Sequence, residues 1–236
     1  VTQRHGEEIH FPSFYTASEV LPGPFLAERH ITDFYLHLLG RIGVPVAARE
    51  CRLTPRPDDL AAVAGLLPPP AGRPPRSRIL VHPGSRSEWR VWPAENFAAI
   101  IDRLQAEGHA VAVVAGPGEQ ATVDAIFRHL RTPATRIDRP LSVPHLAASF
   151  DTLLCHDSGP MHLAAAVGTR VVALFGSQPL NIWRPVGDRH VTLQPPLPCV
   201  NCVSPGRCAP EDSYHNHCVR NITPDRVLAA LGLAPA

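Results

Sequence analysis

Thr152-Leu153-Leu154-Cys155-His156-Asp157-Ser158-Gly159-Pro160-Met161-His162-Leu163-Ala164-Ala165-Ala166-Val167-Gly168-Thr169-Arg170-Val171-Val172-Ala173-Leu174-Phe175 is the stretch whose reading decides the fold. Thr152 to Cys155 is a short apolar run and reads as a strand. Asp157-Ser158-Gly159 reads as a turn, and Pro160 stands where a first helical residue would, at a position whose missing N–H costs nothing. A helix from Pro160 to Val167 and a second apolar strand from Val171 to Phe175 then follow. Strand, helix and strand in succession predict parallel strands with a helix laid across them.

The same alternation extends upstream. Ile79-Leu80-Val81 reads as a strand that leads through His82-Pro83-Gly84-Ser85 to a helix with Phe97, Ile100, Ile101 and Leu104 on one face, stopped at Gly108. A strand from Val111 to Ala115 precedes Gly116-Pro117-Gly118-Glu119 and a helix bearing Val123, Ile126, Phe127 and Leu130; a weaker strand and a helix around Leu146 come next. The expectation is an α/β fold with a Rossmann-like parallel sheet and helices on both faces. Before it, Ile31, Phe34, Tyr35, Leu38, Leu39 and Ile42 recur at helical spacing, and Pro55 to Leu67 offers a further helix. The proline-rich run from Leu67 to Pro75 reads as a linker. At the other end, Thr223 and Pro224 read as the cap and first residue of a final helix.

Bulk composition narrows the function classes. The 236 residues are 44% hydrophobic, enough for a real core, and the net charge of +1 supplies no overall field toward nucleic acid or acidic lipid. Any anion must therefore be caught locally. The most apolar stretch, His162 to Gly176, is too short to span a bilayer and is interrupted by Arg170. The chain begins at Val1 with neither an initiator Met nor the apolar core of a signal peptide, and reads as cut from something longer. Six cysteines in this length do not make a secreted disulfide scaffold, so a cytoplasmic setting is expected.

In parallel α/β sheets ligands bind beyond the carboxyl ends of the strands, and three loops suit that edge: 82–90, 116–119 and 156–162. In the last, the amides and dipole of the new helix favour a diphosphate, and Gly159 lets backbone approach closely. Ser158 adds a hydroxyl, and His162, one turn in, can reach a phosphate oxygen or a leaving group. Asp157 is better used to accept from sugar hydroxyls than to face phosphate. The plain alternative is an ordinary helix cap with a structural histidine. In the first loop, Gly84 and Ser85 offer amide and hydroxyl donors and Arg90 local positive charge. Arg86 fits a solvated turn as well. Glu119 can take both hydroxyls of a ribose, or simply be an acid in a first helical turn.

These residues, His82-Pro83-Gly84-Ser85 with Arg90-x-Trp92-Pro93, the Glu119 loop, Asp157-Ser158-Gly159-Pro160-Met161-His162, and Val172-Ala173-Leu174-Phe175-Gly176 with Trp183-x-Pro185, together resemble glycosyltransferase family 9, the ADP-heptose:lipopolysaccharide heptosyltransferases. The resemblance spans about residues 25 to 235. It implies a GT-B fold whose N-terminal domain is largely missing. Residues 1–70 would be the last segment of the acceptor-side domain and linker, 71–222 the donor-binding domain, and 223–236 a C-terminal helix. It implies metal-independent, inverting transfer of heptose from ADP-heptose to the lipopolysaccharide inner core, with peripheral membrane contact through the acceptor side and no nucleic acid.

By the same resemblance, Arg90 and His162 would stabilise the leaving group, and Arg90 stands where the family more often has Lys. The donor would lie on His82, Gly84, Ser85, Glu119, Asp157, Ser158, Gly159, Pro160 and Met161. No residue of this chain is offered as the general base. A non-catalytic nucleotide-sugar-binding module and a GT-B enzyme using a UDP-sugar are the alternatives; a dehydrogenase is disfavoured because no G-x-G-x-x-G follows the first strand. No cofactor is expected to be required. Cys199, Cys202, Cys208 and Cys218 have enough thiolates for a structural zinc, with reduced cysteines or disulfides as competing readings.

Overall fold

Runs of Val, Leu, Ile and Ala with a side chain on each face of every residue pair can be buried only if both faces of the sheet are covered. That is what the computed structural model of the chain shows; it describes residues 28–64, 66, 74–85, 90–138, 147–197 and 217–234. Among these, six strands form one sheet: β1 (Arg78–His82), β2 (Ala110–Val114), β3 (Thr135–Ile137), β4 (Thr152–His156), β5 (Arg170–Leu174) and β6 (Val191–Leu193). Their spatial order is β3-β2-β1-β4-β5-β6, every pair is parallel, and Leu80 sits in register with Ala112 on one side and Leu153 on the other.

The helices are α1 (Ile31–Arg41), α2 (Pro57–Ala64), α3 (Ala94–Ala106), α4 (Gln120–His129), α5 (Gly159–Ala166), α6 (Leu180–Trp183), α7 (His217–Arg220) and α8 (Pro224–Ala230). Strand alternation divides the core in two. Ile79, Val81, Val111, Val113, Leu154, Val172 and Leu174 face α3, α4 and α8, meeting Phe97, Ile101, Leu104, Val123, Ile126, Val227 and Leu228. Leu80, Ala112, Val114, Leu153, Cys155, Val171 and Ala173 face the other way, toward Met161, Ala164, Phe175 and Val63 of α2.

The expected strands and helices through Leu174 are present wherever the chain is described. The helix expected around Leu146 and most of the 67–75 linker lie outside the described residues. α5 starts one residue earlier than expected, with Ser158 as cap residue, so Pro160 is its second residue instead of its first. The expected helix 31–42 forms, yet only Phe34 on it is buried, while Tyr35 and Ile42 are 56% and 73% exposed. Its apolar stripe is thus mostly uncovered. α6, α7 and β6 are additional to the sequence reading; their three or four residues carry no period to detect. No helix among the described residues is long and apolar enough to cross a membrane.

Candidate functional site

The chain leaves β1 toward β2 and β3, then returns to lay β4 on the other side of β1. The loops at the carboxyl ends of β1 and β4 therefore turn opposite ways, and parallel sheets open their ligand crevice at such a place. β1 ends on His82 and its loop carries Gly84, Ser85 and Arg90; the β4 loop carries Asp157 and Ser158 into Gly159, the first residue of α5; the β2 loop, beside β1, carries Glu119. The three loops singled out from sequence thus follow three adjacent strands.

Two side-chain contacts join them. His82 Nε2 lies 3.2 Å from Glu119 Oε2, and Gly116 N–H donates to the same oxygen at 2.7 Å. Burial pushes the Glu119 carboxyl up, but the His82 hydrogen bond and charge, the Gly116 amide and the His156 ring outweigh it and leave the group below the usual carboxylate range. Across the crevice, Arg90 Nη1 stands 3.4 Å from Asp157 Oδ2. Asp157 is held above its ordinary value because burial outweighs the favourable Arg90 charge. A carboxylate so placed gains from any further hydroxyl or cation that reaches it.

At the start of α5, Ser158 is the cap residue, yet its hydroxyl makes no cap bond and donates instead to His156 O at 3.2 Å. The plain capping role weighed from sequence is not the one Ser158 plays. Pro160 has no N–H and the Met161 amide already donates to Ser158 O at 3.1 Å, so the Gly159 amide is the first-turn donor left for another partner. A Cβ built on Gly159 would meet open space, whereas one on Gly84 would overlap the Glu119 carboxylate. His162 is half-buried, its pKa lowered by burial and then by the charge of His30. Pro160 is half-buried beside it, and Ser85 is half-buried at the end of the β1 loop.

One expected site residue is turned away. The Met161 side chain is fully buried in the core with Cys155, Ala164 and Phe175, so it packs α5 on the sheet and does not face the crevice. The reason is helical geometry: Met161 and Ala164 share the inward side of α5, and His162 is rotated off it. Arg86 lies outside the described residues, as do Cys199, Cys202 and Cys208. Cys218 is half-buried on α7, close enough to Gly176 that a Cβ there would meet its sulfur at 3.3 Å. Among the described residues no three His, Cys, Asp or Glu side chains are grouped to hold a metal.

Sequence reading passed over two histidines. His156, fully buried, accepts the Trp92 N–H on Nε2 at 2.8 Å, and its Nδ1 lies 3.4 Å from Gly84 O. An accepting Nε2 assigns the ring proton to Nδ1, which donates to the carbonyl. Burial drives its pKa down to about 4, so the ring is neutral at neutral pH. Its position as the last strand residue, on the face of Leu154, was the available signal: a histidine among core positions needs partners. His30, buried at the start of α1, accepts the Thr32 N–H at 3.1 Å and donates through Nε2 to Arg184 O at 2.6 Å, clamping α1 to the 184 turn.

The model of glycosyltransferase family 9 (heptosyltransferase) matches residues 31–211. Lipopolysaccharide heptosyltransferase 3 of Escherichia coli is 34% identical over 119 residues, covering 48% of this chain and 35% of that protein. A family 9 glycosyl transferase from Veillonella parvula superposes with a TM-score of 0.66 at 22% identity, over 78% of this chain and 54% of that one. The E. coli ADP-heptose lps heptosyltransferase II superposes with a TM-score of 0.60 at 21% identity, over 77% of this chain and 52% of that one. The chain therefore spans about a third of the matched curated relative and about half of these solved structures. With a family match over well more than half its length and a sheet of the same fold, the chain belongs to glycosyltransferase family 9, the heptosyltransferases.

Proposed function

We propose that this chain is the donor-binding part of a heptosyltransferase that takes heptose from ADP-heptose and passes it, with inversion and without a metal, to the lipopolysaccharide inner core. The donor is suggested by the name of the E. coli relative, an ADP-heptose lps heptosyltransferase. The observation that carries the reading is the convergence of Arg90, Asp157, the His82–Glu119 pair and the start of α5 at the carboxyl ends of the adjacent strands β2, β1 and β4.

In this reading the diphosphate lies at the start of α5, on the Gly159 amide and the Ser158 hydroxyl, with His162 one turn in. Glu119 uses Oε2 on His82 and Gly116, which leaves Oε1 for a ribose hydroxyl. Asp157 exchanges part of its Arg90 contact for sugar hydroxyls, and Arg90 moves its charge to the diphosphate. In transfer, an acceptor hydroxyl oxygen bonds to the anomeric carbon as the bond to the diphosphate oxygen breaks. ADP leaves with the electron pair, and Arg90 and the Gly159 amide at the positive end of α5 stabilise its growing charge. The acceptor's proton passes to a base outside this chain.

The domain limits at 70 and 222, the acceptor-side assignment of the first segment, a cytoplasmic location against the inner membrane face, and a structural zinc on Cys199, Cys202, Cys208 and Cys218 belong to the same proposal. Calorimetric titration with ADP-heptose, ADP and UDP tests the centre of it. ADP-heptose and ADP bind and UDP binds at least about tenfold more weakly, a gap of roughly 1.4 kcal/mol. Asp157→Ala weakens ADP-heptose more than ADP. Equal losses for both ligands, or preference for UDP, would overturn the assignment.

A further inference from the structure

We propose that His156 is the positioning residue of this crevice, a neutral cross-brace that sets where Arg90 stands relative to Asp157. Its consequence for ligand binding rests on the donor-site reading above; its mechanical part does not.

The argument is one of connectivity. Asp157 follows His156 directly in the chain, and Arg90 precedes Trp92 by two residues. One bond, Trp92 N–H to His156 Nε2 at 2.8 Å, therefore ties the backbone that carries Arg90 to the backbone that carries Asp157, although the two charges are 67 residues apart. The other ring nitrogen reaches Gly84 O at 3.4 Å and so ties in the turn against which Glu119 closes. The ring is edge-on to Phe97, 5.5 Å between centroids, and Phe97 is edge-on to Trp92 at 5.1 Å, so the imidazole has no room to rotate away. The charged and titratable groups around it are His82 from the end of β1, Glu119 from the β2 loop and Asp157 from its own strand end. A buried backbone N–H must find an acceptor, and here β4 supplies it from a side chain just past the last β1–β4 pair, His82 with Cys155.

Three measurements on the full chain test this. In the wild type, nitrogen chemical shifts of the His156 ring report the neutral form with the proton on Nδ1; a cation or the Nε2–H form at neutral pH would overturn the brace. In His156→Leu, the Trp92 amide exchanges at least about tenfold faster relative to the β1 and β4 core amides, and ADP-heptose affinity falls by roughly tenfold. His156→Gln, which restores an acceptor near the Nε2 position, recovers most of both.

A double-mutant cycle with Arg90→Ala separates positioning from general packing: if His156 acts through Arg90, adding His156→Leu to Arg90→Ala costs little further affinity. Additive losses, or unchanged Trp92 exchange in His156→Leu, would refute the proposal. Should the wild type bind no ADP-heptose, the donor reading fails while ring tautomer and Trp92 exchange still decide the brace.

Discussion

Gly84 and Glu119 illustrate how far a single atom reaches in this site. Glu119 rests in the volume where a side chain on residue 84 would be, and from there its Oε2 meets His82 and the Gly116 amide. Gly84→Ala is therefore expected to leave the fold intact, because a carboxylate at the end of a flexible side chain can move aside. It should nevertheless lower ADP affinity several-fold by detaching Glu119 from His82. Parallel thermal melts and ADP titrations check this; a large fall in melting temperature with unchanged ADP affinity would contradict it. The residue types at this scale were legible from sequence: glycine after a strand, acid at a helix start, Asp-Ser-Gly before a proline. Contacts were not, since nothing local tells Glu119 that it will pair with His82. Met161 shows the converse, a member of the expected motif that helix rotation carries into the core.

At the scale of elements, α3 and α8 are joined by more than apolar contact. The buried Trp92 donates its Nε1–H to Ile222 O at 2.8 Å, linking the residues that lead into the two helices. Trp92→Phe removes that donor, leaves a buried carbonyl unpaired and opens a void, which should cost about 1–3 kcal/mol of stability in denaturant unfolding. A change below ~0.5 kcal/mol would mean that solvent reaches Ile222 O. α8 itself follows its sequence signals closely, with Thr223 accepting from the Arg226 amide at 3.4 Å and Pro224 opening the helix. α1 also forms as its period predicts, but the period reveals only that one side is apolar and not what covers it. His30, whose ring clamps α1 to Arg184 O, fixes the helix's place through a contact 154 residues away.

For the molecule as a whole, buried and half-buried histidines tie stability to pH. His156 has the largest depression, to about 4, and His109, His162 and His190 are also lowered, burial being the main cause for each. The unfolded chain therefore binds protons below about pH 6.5 that the folded chain refuses, His156 refusing them down to about 4. By linkage, stability is full above pH 6.5 and is lost as pH falls toward 4. His156 alone, shifted from 6.5 to about 4, accounts for roughly 3 kcal/mol of that loss. Thermal melts from pH 7 to pH 4 should show the melting temperature dropping, with a shallower drop in His156→Gln. Equal slopes in the two proteins would show that His156 is not the main contributor.

What the amino-acid order determined alone is the succession of strands and helices, the two-faced burial of the strands, and the three loops that leave the carboxyl ends of three of those strands. These follow from periodicity and from short-range turn chemistry, both of which act over a few residues. Only the tertiary structure decided that β4 returns beside β1, that Arg90 meets Asp157 and His82 meets Glu119, and that His156 braces the loops between them. Lateral strand order is set by long-range packing of whole faces, and a polar side chain's partner is whatever that packing brings within about 3 Å of it.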